Sequence, residues 1–134
     1  IVTSARCELS QWEARAGRRL LPNDRTDAEA IAATTWATLT STLSWEAQGV
    51  LPKLSDGTDV SSAHRSPDGT LLATSDDFRK INLFRCPCGP DTATPRAAAI
   101  HAAHVPLVRF TADGKHLVSV GGPDLTAAVW RVAQ

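Results

Sequence analysis

A short string of residues occurs twice in this chain, and that repeat limits the fold more than any other feature. Ser66-Pro-Asp-Gly-Thr-Leu-Leu-Ala-Thr-Ser75 lies over Thr111-Ala-Asp-Gly-Lys-His-Leu-Val-Ser-Val120 at an offset of 45 residues. The aromatics that close the two copies, Phe84 and Trp130, stand 46 apart. Each copy sets Asp-Gly ahead of a strand-forming run, and Asp-Gly supplies the φ > 0 geometry that a tight hairpin needs. The second copy reads as a strand Val105–Phe110, a turn over 112–115, a strand His116–Val120, a turn over 121–124 and a strand Leu125–Trp130. A partial third copy opens the chain, with Ile1–Ser4 and Glu8–Trp12 as two strands of a unit whose beginning is absent. Paired hairpins recurring near the ~40–45-residue period of four-stranded blades predict an all-β propeller architecture.

The repeat divides the chain into three parts. Residues 1–35 are the last strands of a preceding blade and a connector, 36–100 the penultimate blade with its own connector, and 101–134 the final blade. A single blade cannot bury both of its faces, and about three or more repeats are needed for independent stability. The end of one blade plus two more, with Ile at position 1 and no Met among 134 residues, predicts a segment of a longer polypeptide. The final blade has no sequence left for an outer strand, so another part of that polypeptide is expected to pair with Leu125–Val132 and cover the open edge.

Other stretches carry weaker signals. Residues 13–30 begin as a charged turn, with Leu20 and Leu21 as a brief outer strand that Pro22 stops. Asp27–Ala33 has helical propensity but is too short to predict a firm helix. Thr34–Trp45, rich in Thr and ending on Trp, predicts a strand. An irregular connection covers 48–59. Strands are then expected at Val60–His64, 70–75 and 79–85, a loop at 86–94, and an outer strand at Arg96–Ile100.

Composition removes several classes of function. Fourteen basic residues balance fourteen acidic ones, and no basic stripe of the kind that gains affinity from counterion release is present, so nucleic acid is not an expected partner. No apolar run approaches the ~20 residues needed to cross a bilayer, so no membrane partner is expected either. Three cysteines, at 7, 86 and 88, are too few and too odd a set for a secreted disulfide framework and point to a reducing compartment.

The chain resembles the C-terminal end of the echinoderm microtubule-associated-protein-like family. The resemblance is carried by Ser55-Asp-Gly-Thr-Asp59, by Asp76-Asp-Phe-Arg-Lys-Ile-Asn-Leu-Phe84 with Pro87-Cys88, by His101-Ala-Ala-His-Val105, by Phe110, by Leu117-Val-Ser-Val-Gly-Gly122, and by Asp124 and Trp130. It covers nearly the whole chain and is weakest over 13–35. What it implies is a pair of joined propellers acting as a microtubule-associated module. Its expected partners are tubulin or other axonemal and cytoskeletal proteins, together with the remainder of its own propeller. The expected location is the cytoplasm and cytoskeleton, with the ciliary axoneme as a further site. A scaffold of the same repeat class without a microtubule role is the alternative. The chain departs from the family at Cys86, where an aromatic is usual, at Pro123, and at Arg65, which stands where the final blade has Phe110.

Candidate site residues follow from residue type. His101, Ser119 and Asp124 are the types of a hydrolytic triad, with Trp130 nearby. In WD-repeats these four positions form a buried structural network instead, so the resemblance implies a tetrad in which the Asp holds the His, and the His reaches the Ser and the Trp indole. A nucleophilic serine needs an exposed elbow and an oxyanion hole. Val118-Ser119-Val120 is a plain strand interior, so no enzymatic activity is expected. Cys86 and Cys88, with His101 and His104, are zinc-capable types in a poor spacing, and neither metal nor cofactor is expected. Arg15, Arg18 and Arg19 on the first loop are candidate contacts for acidic tubulin, as are Asp76 and Asp77 for a basic group, though solvated turns account for both sets. Trp36 and Trp45 are expected to pack between sheets.

Overall fold

The computed structural model describes residues 2–5, 8–21, 23–35, 42–43, 45–50, 60–89 and 94–133. Its strands form three antiparallel sheets in chain order. The first holds β1 (Val2–Ala5), β2 (Glu8–Glu13) and β3 (Arg18–Leu20), side by side in that order. The second is a four-stranded meander of β4 (Val60–Arg65), β5 (Leu71–Asp76), β6 (Lys80–Arg85) and β7 (Arg96–Ala99). The third joins β8 (Leu107–Phe110), β9 (His116–Val120) and β10 (Ala127–Arg131).

The two Asp-Gly turns are built alike, atom by atom. In the middle sheet, Ser66 N–H donates to the Leu71 carbonyl at 2.9 Å, and Leu71 N–H donates back to Ser66 Oγ at 2.9 Å. Asp68 Oδ1 accepts from the Ser66 hydroxyl at 2.5 Å and from Thr70 N–H at 3.1 Å. In the last sheet, Thr111 N–H donates to the His116 carbonyl at 2.9 Å, and His116 N–H to Thr111 Oγ1 at 3.1 Å. Asp113 Oδ1 accepts from the Thr111 hydroxyl at 2.6 Å and Lys115 N–H at 3.0 Å. Gly69 and Gly114 then take φ of 74° and 68°, a conformation that a Cβ would strain. Those hydroxyl donors hold both Asp carboxyls below the usual range.

Two apolar cores flank the middle sheet. Leu72 and Phe84 on one face pack with Cys88 and with Ala47 and Val50 of a 3₁₀ helix, Trp45–Val50. Gly49 N–H ties that helix to the Cys88 carbonyl at 2.9 Å. On the other face, Ala73 and Ile81 meet Val105, just ahead of the last sheet, and Val108, Phe110 and Leu117 within it, with Trp130 at the margin. The inner strands β4 and β8 are further joined where Phe110 N–H donates to His64 Nδ1 at 3.0 Å and Arg109 reaches the Ala63 carbonyl at 3.3 Å.

Several expectations need correction. Residues 25–32 form a full α-helix, α1 (Arg25–Ala32), because Asp24 caps it by accepting from Thr26 N–H at 2.9 Å and Asp27 N–H at 3.1 Å. The short strand ahead of it is Arg18–Leu20, and Leu21 lies outside it with its N–H given to Asp27 at 2.9 Å. The strand expected over Thr34–Trp45 falls largely on residues outside those described, and Trp45 opens the 3₁₀ helix. Strand β10 starts at Ala127, two residues later than expected, since Leu125 turns at φ 53° and Thr126 is engaged in the preceding turn.

Candidate functional site

Strands β9 and β10 pair Leu117 with Trp130 and Ser119 with Ala128, so Ser119 and Trp130 are diagonal neighbours across the ladder. Ser119 is fully buried, and its Oγ accepts the Trp130 indole N–H at 2.9 Å. His101 arrives from the connection after β7 and sets Nε2 2.8 Å from the same Oγ. Its Nδ1 lies 2.9 Å from Thr126 Oγ1 and 3.3 Å from Asp124 Oδ2. Asp124 in turn accepts Ala102 N–H at 2.8 Å and Thr126 N–H at 3.2 Å. The Ala102 amide is the foremost of the groups that hold the Asp124 carboxyl below the usual range.

One proton arrangement satisfies every atom. Trp130 donates to Ser119, the Ser119 hydroxyl donates to His101 Nε2, and a proton on Nδ1 faces Thr126 and Asp124. The turn that closes around this network is tight. A Cβ on Gly121 would come within 2.6 Å of His101 Nδ1, and one on Gly122 within 2.6 Å of the His104 ring. Thr126 was not among the residues singled out from sequence. Its signal was the placing of Thr two positions after a turn Asp, where its amide closes an Asx turn.

The four residues expected to lie together are therefore brought together. The chemistry open to them is limited by burial. Ser119 presents no surface to a substrate, and its oxygen already accepts from the indole, so hydrolytic residue types are present without a usable nucleophile.

The remaining candidates are dispersed. Asp76, expected among partner contacts, is 1% exposed, and its carboxylate accepts Phe78 N–H at 2.9 Å and Lys80 N–H at 2.8 Å. It is a turn clamp inside the middle sheet and offers nothing to a partner. Asp77 is exposed and accepts the Ser61 hydroxyl at 3.0 Å. The arginine cluster does not lie on one loop. Arg15 is in the turn, whereas Arg18 and Arg19 are strand residues of β3. Arg18 is committed to Asp27 by two hydrogen bonds of 2.9 Å, which staple β3 to α1. The Arg18 guanidinium is the main group that keeps the Asp27 carboxyl below the usual range. Cys86 is half-buried and Cys88 buried, and neither is in a disulfide. Among the described residues no three His, Cys, Asp or Glu side chains gather as a metal site would require, and no helix is long and apolar enough to cross a membrane. Trp36 lies outside the described residues.

The second β-propeller of the echinoderm microtubule-associated protein matches residues 1–132 of this chain. Echinoderm microtubule-associated protein-like 3 of Homo sapiens is 41% identical over 127 residues, which are 93% of this chain and 14% of that protein. The 77 kDa echinoderm microtubule-associated protein of Strongylocentrotus purpuratus is 40% identical over 126 residues, 93% of this chain and 18% of that protein. Echinoderm microtubule-associated protein-like 4 of Xenopus tropicalis is 37% identical over 95% of this chain and 13% of its own length. The chain thus spans less than a fifth of the curated relatives it matches. With three antiparallel sheets, the last two repeating at blade spacing, and this match across their full extent, the chain belongs to the echinoderm microtubule-associated protein family, within its second β-propeller.

Proposed function

We propose that this chain is a non-catalytic part of a microtubule-associated propeller that binds tubulin or other cytoskeletal and axonemal proteins through its rigid surface. The observation that carries the reading is the match of residues 1–132 to the second propeller of a microtubule-associated protein. The whole protein would act in the cytoplasm, on the cytoskeleton, with the ciliary axoneme as one setting, and without nucleic acid or membrane as a partner. In this reading the buried His101–Ser119–Trp130 chain and the Asp124 turn hold the final blade in shape, and blade-end turns make the contacts. The 1–35, 36–100 and 101–134 division is the corresponding assignment of blades. Of the arginines, Arg15 is the one best placed to meet an acidic tubulin surface, since Arg18 is spent on Asp27.

Co-pelleting of the intact parent protein with taxane-stabilised microtubules over a salt series tests this. Saturable pelleting that weakens with salt is expected, with a further loss for Arg15→Glu. Absence of pelleting by a protein whose propeller is shown to be folded would overturn the reading and leave a repeat scaffold for a different assembly.

A further inference from the structure

Cys86-Pro-Cys88 lies outside the His101–Ser119–Trp130 network, yet the fold sets it up in an unusual way. Both cysteines are reduced, both pack on the core of Leu72 and Phe84, and their thiols hydrogen-bond to each other. Their environments differ. Cys88 is 2% exposed, and the bond from Cys86 together with burial pushes its thiol above the ordinary value. Cys86 is half-buried and lines an open cavity of about 820 Å³, within the ~300–1,000 Å³ of sites that take small molecules. Arg85 and Arg96, both exposed, line the same cavity. Among the described lining residues the one carboxylate, Asp68, is occupied by the Ser66 and Thr70 hydroxyls and the Thr70 amide.

We propose that Cys86 and Cys88 form a thiol–disulfide exchange site that accepts a small anionic disulfide, of which glutathione disulfide is the example, with Cys86 attacking and Cys88 resolving. The guanidinium groups of Arg85 and Arg96 draw the carboxylates of the disulfide to the cavity mouth. The Cys86 thiol loses its proton to solvent, and its sulfur bonds to one glutathione sulfur. The S–S bond of the reagent breaks, and the other glutathione leaves with the electron pair and takes up a proton. Cys88, already in contact with Cys86, then loses its proton and attacks the Cys86 sulfur. The second glutathione leaves in the same way. Two protein thiols are oxidised to one disulfide, and one glutathione disulfide is reduced to two glutathione molecules. The reaction has a structural consequence, because the Cys88 carbonyl anchors Gly49 and its side chain packs on Ala47 and Val50. Bonding Cys88 to Cys86 changes the seat of the 3₁₀ helix that covers this face of the middle sheet.

The test uses the intact parent protein, native, titrated with glutathione disulfide, then alkylated and mapped by peptide mass spectrometry. In the unaltered protein the peptide bearing Cys86 and Cys88 should lose two hydrogens and become refractory to alkylation. In Cys88→Ser, Cys86 should retain one glutathione, whereas in Cys86→Ser, Cys88 should remain a free, slowly alkylated thiol. Arg85→Glu with Arg96→Glu should slow the reaction several-fold with glutathione disulfide and leave the rate with uncharged hydroxyethyl disulfide unchanged. The proposal is overturned if Cys86 and Cys88 of the unaltered protein stay alkylatable throughout, if either pairs instead with Cys7, or if Cys88 takes glutathione as readily as Cys86. The first of these needs no variant and so does not depend on any variant folding.

Discussion

The middle and final blades share their inner turns almost atom for atom and differ in how the rest of each sheet is held. In the final blade, Ser119 joins His101 to the Trp130 indole across the sheet. At the matching ladder positions the middle blade has Thr74, opposite Asn82, and Phe84, opposite Leu72. Thr74 Oγ1 is buried without a hydrogen-bond partner among the described residues, and Phe84 has no polar atom to offer. What the middle blade has in exchange is apolar cover on both faces. Strand β5 is buried from Leu72 through Asp76, whereas buried and half-buried positions alternate along β9. Val129 of the final blade is 69% exposed. The lesson is that one backbone design can be held mainly by apolar burial in one blade and by a satisfied polar chain in the next.

That contrast can be broken most sharply at Phe84. Phe84→Ala in the intact propeller should cost about 3–5 kcal/mol, since the ring is 2% exposed and its neighbours cannot close the space. Thermal or denaturant unfolding measures it, and a loss below about 1 kcal/mol would mean that burial is not what holds the middle blade.

The next test sets the two equivalent hydroxyls against each other. Ser119→Ala strands the Trp130 N–H and removes the partner of His101 Nε2, for an expected loss of about 1–3 kcal/mol. Thr74→Val removes a hydroxyl with no described partner at nearly constant shape and should change stability by less than about 1 kcal/mol, or raise it. Equal losses in both variants would remove the distinction drawn between the blades.

The seam between the blades carries a pH dependence. Burial, and then the Arg109 guanidinium, hold the His64 ring below its usual value near 6.5, and Nδ1 must be unprotonated to accept from Phe110 N–H. The folded state therefore binds this proton less readily than the unfolded state. The His64 contribution is complete above pH 6.5 and is lost as pH falls through the lower folded-state value. Melting temperature should fall between pH 7 and pH 5, and His64→Asn, whose Oδ1 can accept the same bond, should flatten that slope. A slope unchanged by His64→Asn would assign the dependence to other groups.

The smallest expected effect concerns a likeness between the blades. Arg79 and Leu125 occupy equivalent places ahead of the third strand, and both take positive φ, 70° and 53°. Leu125 is also 92% exposed and so loses little contact on truncation. Arg79→Gly and Leu125→Gly should each raise stability by up to about 1 kcal/mol through relief of the left-handed backbone. Opposite signs would show that the two turns differ in ways their dihedrals conceal.

Features legible from sequence were those set by near neighbours. The turns at Asp68-Gly69 and Asp113-Gly114 need only a hydroxyl two residues ahead of the Asp and a glycine after it, and the strands around them alternate as a pleated ladder demands. The residues of the final network were named from residue type and from the family resemblance, which implies their grouping. Their partner Thr126 was missed because its role depends on the turn that Asp124 makes. Helix α1 was underestimated because propensity alone does not register a cap at Asp24 or a guanidinium across a turn at Arg18.

The sequence by itself determined the class of fold, the positions of most strands from Val60 onward and the family, because these rest on period, turn chemistry and residue identity. Tertiary structure alone decided which charges were free. Asp76 and Asp77 are adjacent and chemically identical, yet one is a buried clamp and the other is exposed. Arg18 and Arg15 read as equal cations until Asp27, nine residues from Arg18, takes one of them. Such outcomes depend on which partner the folded chain brings within hydrogen-bond reach, and Coulombic and desolvation energies change over a few ångströms, a distance that sequence separation does not encode.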